Sequence, residues 1–294
     1  MDMKRSGYIF TLLAIVIFAI QDGISKHLGG LYPPAFIAMI RFWAFAAFTI
    51  LMAARSKGGL RTAAATRRPV LQILRGVMLA AQIVIVITSL AKVGLAHSQA
   101  IFSATPLFVA VLSVPLLSEK VGWRRWTAIL LGLIGVLVIL DPGRDGIEPM
   151  LLLPLAAAAV FSLYVIATRL VSRDDSATTS FFYIGTVGAI TLSFVGPFYW
   201  TGLAPVDWGW MALLCITGMA SHYFLIRAYD LLDAAAVQPL TYLQLVFAGF
   251  MGVTLFGERL TPNMIVGSAI VVGAGIFTIW RESVVARRKV DREL

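Results

Sequence analysis

Groups that bind metals or act as nucleophiles are scarce in this chain. The single cysteine, Cys215, excludes an internal disulfide and a thiolate metal cluster. His27, His97 and His222 are the only histidines, and they lie far apart; there is no H-E-x-x-H and no G-x-S-x-G. An intramembrane enzyme would therefore have no catalytic motif, so no enzyme activity, no cofactor and no metal is expected. Charge is scarce as well. Charged residues make up 13% of the 294 positions and hydrophobic ones 59%, too little polar surface to cover a water-soluble globule of this size. A net charge of +9 would suggest nucleic acid in a soluble protein. Here the positive charges lie between apolar runs, so the expected partner is the lipid bilayer and not nucleic acid.

What the chain has in abundance is apolar runs of membrane-crossing length, about 20 residues each. Ten are legible, at about 7–27, 34–54, 69–90, 96–117, 123–140, 149–170, 178–200, 207–229, 234–256 and 262–280. Lys4 and Arg5 precede the first, but no A-x-A cleavage site closes it, so it is expected to be retained. With the N-terminus inside, the inner segments hold eighteen Lys and Arg and the outer ones four. Cytoplasmic loops retain positive charge, so both termini are expected in the cytoplasm. Trp200, Trp208 and Trp210 then fall at outer ends and Trp123, Trp126 and Trp280 at inner ends, as interfacial anchors do.

Residues 234–258 repeat residues 95–119 at a shift of 139, with Gln99 on Gln238, Phe108 on Phe247 and Glu119 on Glu258. Five spans per half is an odd number, so the second half enters the membrane from the opposite side. The expected fold is an all-α membrane protein of ten helices in two inverted five-helix repeats, residues 1–145 and 146–294. Inverted halves are the usual basis of alternating access.

The five-plus-five arrangement, with an apolar helix ending in Ser118-Glu119-Lys120 and again in Gly257-Glu258-Arg259, resembles the drug/metabolite transporter superfamily in its EamA-type branch. Within that branch the chain is most similar to bacterial aromatic amino-acid exporters of the YddG type. The likeness covers essentially the whole chain. It implies a multi-pass transporter of the bacterial inner membrane, exporting amino acids through a central cavity lined by spans 1, 3, 4, 6, 8 and 9, with spans 5 and 10 peripheral. A broad drug or metabolite exporter of the same fold is the alternative.

Polar groups in hydrocarbon are costly unless paired or facing a wet cavity, so they are the candidates for a substrate site. These are Gln82 in the third span, Gln99 and Ser103 in the fourth, Tyr164 in the sixth, His222 in the eighth, and Gln238, Tyr242 and Gln244 in the ninth. Neutral amides both donate and accept, which suits a zwitterion. Gln99 and Gln238 each lie about a turn inside a helix start on opposite faces, so they are expected to line the two ends of a path. Pro106 is expected to kink the fourth span. Asp22, four residues before Lys26, pairs locally with it or acts as a coupling carboxylate. Arg41 neutralises Asp22 or meets a substrate carboxylate, and Glu119 and Glu258 form structural or gating ion pairs. Ala128 and Gly132 in the fifth span, and Ala269 and Gly273 in the tenth, permit close packing inside the chain or a homodimer face.

Overall fold

The computed structural model describes residues 2–56, 58–117, 122–142, 148–232, 237 and 240–293. Twelve α-helices, and no strand, are present among the described residues: α1 (Asp2–Leu31), α2 (Pro34–Arg55), α3 (Gly59–Ala64), α4 (Pro69–Lys92), α5 (Leu95–Phe102), α6 (Thr105–Leu117), α7 (Trp123–Leu140), α8 (Leu152–Val171), α9 (Ala177–Val195), α10 (Asp207–Leu231), α11 (Leu243–Phe256) and α12 (Pro262–Glu293). Six apolar stretches within them are long enough to cross a bilayer, and shorter apolar helices lie at Trp126–Leu140, Leu243–Phe256 and Pro262–Thr278. A helix satisfies its own backbone groups, and that is why apolar runs in lipid take this form.

Local chemistry sets the boundaries. Proline stands at the first position of α2 and of α4, where its missing N–H costs nothing. Ser176 caps α9 by accepting from the Thr179 N–H at 3.1 Å. The fourth span is two helices rather than one, because α5 stops at Phe102 and α6 begins at Thr105, with Pro106 in its first turn. The expected kink is thus a break, since a proline there cannot continue the hydrogen-bond ladder of the preceding turn.

Helix α1 packs along α10, α4 along α8, α2 along α9, and α7 along α12. Helix α5 meets α11. One buried cluster joins Ile24, Leu28, Phe36, Phe42, Leu79, Ile184 and Met211 between α1, α2, α4, α9 and α10. A second joins Ile101, Leu107, Val136, Ile139 and Val271 around the α7–α12 edge. That edge depends on small residues. A Cβ on Gly135 would stand 2.9 Å from the carbonyl oxygen of Gly267. Gly273 has open space around it, so the close approach on α12 is made by Gly267 instead. Leu130, Leu131, Ile134 and Leu137 of α7, and Phe250 and Leu255 of α11, are exposed, as lipid-facing side chains are.

Candidate functional site

Two ends of the bundle differ. Around Lys26 the helix ends are tied together. The Glu258 carboxylate accepts from the backbone N–H groups of Leu95 at 2.6 Å and Ala96 at 2.8 Å, and pairs with Lys26. It therefore sits on the free N–H groups of α5, where the helix dipole favours negative charge. Gly94, at φ +107°, and Gly252 make the cradle: a Cβ on either would crowd the carboxylate, at 3.0 and 2.8 Å. Lys26 also lies 4.4 Å from the Phe256 ring centroid. Nearby, Tyr32 donates to Asp207 at 2.7 Å and accepts from the Ala204 N–H at 2.9 Å.

At the opposite end a cavity of about 420 Å³ begins between α8 and α9, where Ser172, Asp175 and Ala177 line it, and runs inward to His222. Its size is in the range of small-molecule sites. Tyr164, Phe45 and Phe181 give it an aromatic wall, and Arg75 also lines it, with its guanidinium 5.4 Å from the Tyr164 ring centroid. Arg75 is 1% exposed; it donates to Thr168 Oγ1 at 3.1 Å and to Gln72 Oε1 at 2.5 Å. Gln72 in turn donates to Asp175 at 2.8 Å. Thr66 and the Arg67 N–H also bond Asp175. Burial pushes the Asp175 carboxyl upward, but these bonds and the charge of Arg67 outweigh it and hold it below the ordinary value of 3.8.

Phe45, Leu79 and His222 also line a narrow continuation of about 20 Å³, the room of one water-sized group, which ends at Arg41, Cys215 and Gly218. Beyond it Asp22 is 6% exposed. Its Oδ2 accepts from Gln99 at 2.6 Å and from Gln244 at 2.8 Å, and it feels the Arg41 charge. The local Asp22–Lys26 pair is not formed, because Lys26 is drawn across to Glu258.

The expected site residues therefore separate into groups. Tyr164, His222 and Arg41 line the cavity and its neck. His222 engages the Gly218 carbonyl at 2.9 Å and sets its ring edge against Phe18. Gln99 does not line an end of the path; with Gln244 it binds Asp22 and draws α1, α5 and α11 together. Ser103 donates to the Ala100 carbonyl of its own helix at 2.6 Å. Gln82 is buried in α4 away from both cavities. Tyr242 turns toward Gly275 on α12, so it belongs to the periphery. Gln238 and Glu119 lie outside the described residues. Glu258 forms an expected ion pair, with Lys26 as its partner.

The cavity is built by α2, α4, α8, α9 and α10, not by the first, fourth and ninth spans as the resemblance implied. The polar bonds around Asp22 close those three helices together. Neither α7 nor α12 contributes a lining residue to these two cavities. Arg75, Gln72 and Gln21 were missed. A charge inside an apolar run was the signal that could have pointed to Arg75, which is buried in α4.

The EamA-like transporter family model matches residues 5–141 and again 149–280. The chain is 28% identical to an S-adenosylmethionine uptake transporter of Rickettsia prowazekii, over 94% of this chain and 93% of that one. It is 29% identical to a riboflavin transporter of Vibrio cholerae, over 96% of each. A crystal structure with 19% identity matches with a TM-score of 0.61 over 97% of this chain and 98% of the other, a likeness of fold. These relatives give no support to amino-acid export.

Proposed function

The chain belongs to the EamA-like transporter family and is a multi-pass protein of the bacterial inner membrane; from that premise we propose that it carries S-adenosylmethionine, or a metabolite like it that joins an aromatic heterocycle to an amino-acid head. The observation that carries this reading is the composition of one cavity. Its wall offers Tyr164, Phe45 and Phe181 for a flat ring, and its inner end offers the charged side chain of Arg41. The similarity to an S-adenosylmethionine carrier over nearly the whole chain agrees with it. Of the expected amino-acid substrate, this reading keeps the head group and replaces the side chain. Riboflavin, the substrate named for other relatives, would use the aromatic wall but has no charge for Arg41.

The mechanism we propose is alternating access by ten helices in two inverted halves, residues 1–145 and 146–294, with both termini cytoplasmic. Two facts support it. The family model matches once in each half, and the pairing of α1 with α10 is mirrored by that of α8 with α4. On this orientation the cavity faces the cytoplasm, and the Lys26–Glu258 pair closes the outer side. The names of the relatives make uptake the direction to test before export. The α7–α12 glycine contacts are consumed inside the chain, which argues against that seam as a homodimer face.

Uptake of labelled S-adenosylmethionine, riboflavin and phenylalanine into proteoliposomes tests the reading. Accumulation of the first, competed by the unlabelled compound, is expected. Transport of riboflavin or phenylalanine alone would overturn it.

A further inference from the structure

Two polar groups beside Gly218 make no hydrogen bond among the described residues. Gln21 is 5% exposed, and its Oε1 is buried with no hydrogen bond among the described residues. Arg41 makes no hydrogen bond or ion pair among the described residues, although it lines the neck of the cavity. Both flank the same point. A Cβ on Gly218 would stand 3.2 Å from Gln21 Oε1 and 3.4 Å from both Nε and Nη2 of Arg41. Buried polar groups are almost always satisfied, so an open amide oxygen beside a guanidinium at the end of a cavity suits a ligand that carries both a donor and an acceptor.

We propose that the niche around Gly218 is a zwitterion subsite, in which Arg41 takes a carboxylate and the Gln21 carbonyl takes the adjoining ammonium. The proposal rests on the substrate reading above and deepens it by naming where the amino-acid head is held. A guanidinium matches a carboxylate through two parallel N–H bonds, and an amide oxygen accepts from an ammonium. The charges balance. Asp22, next to Gln21 in sequence and within the electrostatic reach of Arg41, offsets the guanidinium, and a zwitterionic head adds no net charge at the niche. The glycine keeps α10 thin enough for both side chains to reach the niche. Met219 lines the neck as well, and a flexible thioether can shift to admit a head larger than water.

Binding to the protein in nanodiscs tests this with two compound sets. One is S-adenosylmethionine and its decarboxylated form; the other is phenylalanine, phenethylamine without the carboxylate, and 3-phenylpropanoate without the amine. Wild type is expected to prefer the carboxylate member at least tenfold. R41Q removes that preference, R41K keeps part of it, and Q21L lowers the advantage of phenylalanine over 3-phenylpropanoate. Loss of preference, rather than loss of all binding, separates recognition from a structural role, and the wild-type preference needs no variant to fold. A wild type indifferent to the carboxylate, or an R41Q protein that still discriminates, overturns the subsite. If S-adenosylmethionine binds without preference, the subsite falls and the substrate reading stands. If only the phenylalanine set binds and shows the pattern, the substrate reading falls and the subsite stands. Binding of no compound counts against both.

Discussion

Gln99 and Gln244 donate to the same oxygen of Asp22, at 2.6 and 2.8 Å. They come from α5 and α11, so one buried carboxylate ties helices from both halves of the chain to α1. Removing one partner of a buried charged group leaves the rest uncompensated, and the cost exceeds that of a surface pair.

Asp22 is expected to be indispensable for accumulation against a gradient. In proteoliposomes, D22N should lower the accumulation ratio at least tenfold under an imposed proton gradient while the purified protein still binds substrate. Equal accumulation by D22N and wild type would remove Asp22 from coupling.

The Glu258 contacts hold one conformation, so weakening them should shift the population. Hydrogen bonds to a charged group contribute about 1.5–3 kcal/mol, and about 1.4 kcal/mol is a tenfold change in an equilibrium. Cys215, the native thiol at the cavity neck, reports it. With a membrane-impermeant maleimide, wild type should label slowly, because the neck admits only a water-sized group, and E258Q should raise labelling from the Lys26 side about tenfold. An unchanged rate would mean that this carboxylate does not gate.

Tyr242 carries a buried hydroxyl without a partner among the described residues, which costs about 1–3 kcal/mol relative to a satisfied one. Y242F should therefore melt at or above the wild-type temperature and transport at the wild-type rate. Conversely, G275A should melt lower, because its Cβ would overlap that hydroxyl. A transport defect in Y242F would return Tyr242 to the site.

Asp175 gives the fold a defined acid sensitivity. Its carboxyl titrates below the ordinary 3.8 in the folded state, so its stabilising effect is complete above that value and is lost as pH falls through the folded value. The melting-temperature difference between wild type and D175N should thus be positive and constant from pH 5 to 8 and shrink below about pH 4. A difference that persists undiminished at low pH would contradict this account.

Much of this protein was legible in its sequence. The apolar runs and the prolines opening α2 and α4 determined a helical membrane protein, because hydrocarbon admits only backbone that satisfies itself. The repeated Glu pointed to Glu258 as half of an ion pair. Its partner was another matter: Arg259 is adjacent in sequence, but the partner is Lys26, which helical spacing alone would have given to Asp22. The same limit applies to Gln99, which pattern placed on a path and packing placed against Asp22. Polar residues in a span announce that they need a partner, but helical spacing says only which face they occupy. Which helices bring facing groups within 3 Å is decided by how α1, α5, α10 and α11 pack, and only the tertiary structure held that information. It left Gln21 and Arg41 beside a glycine that the sequence does not distinguish from the rest.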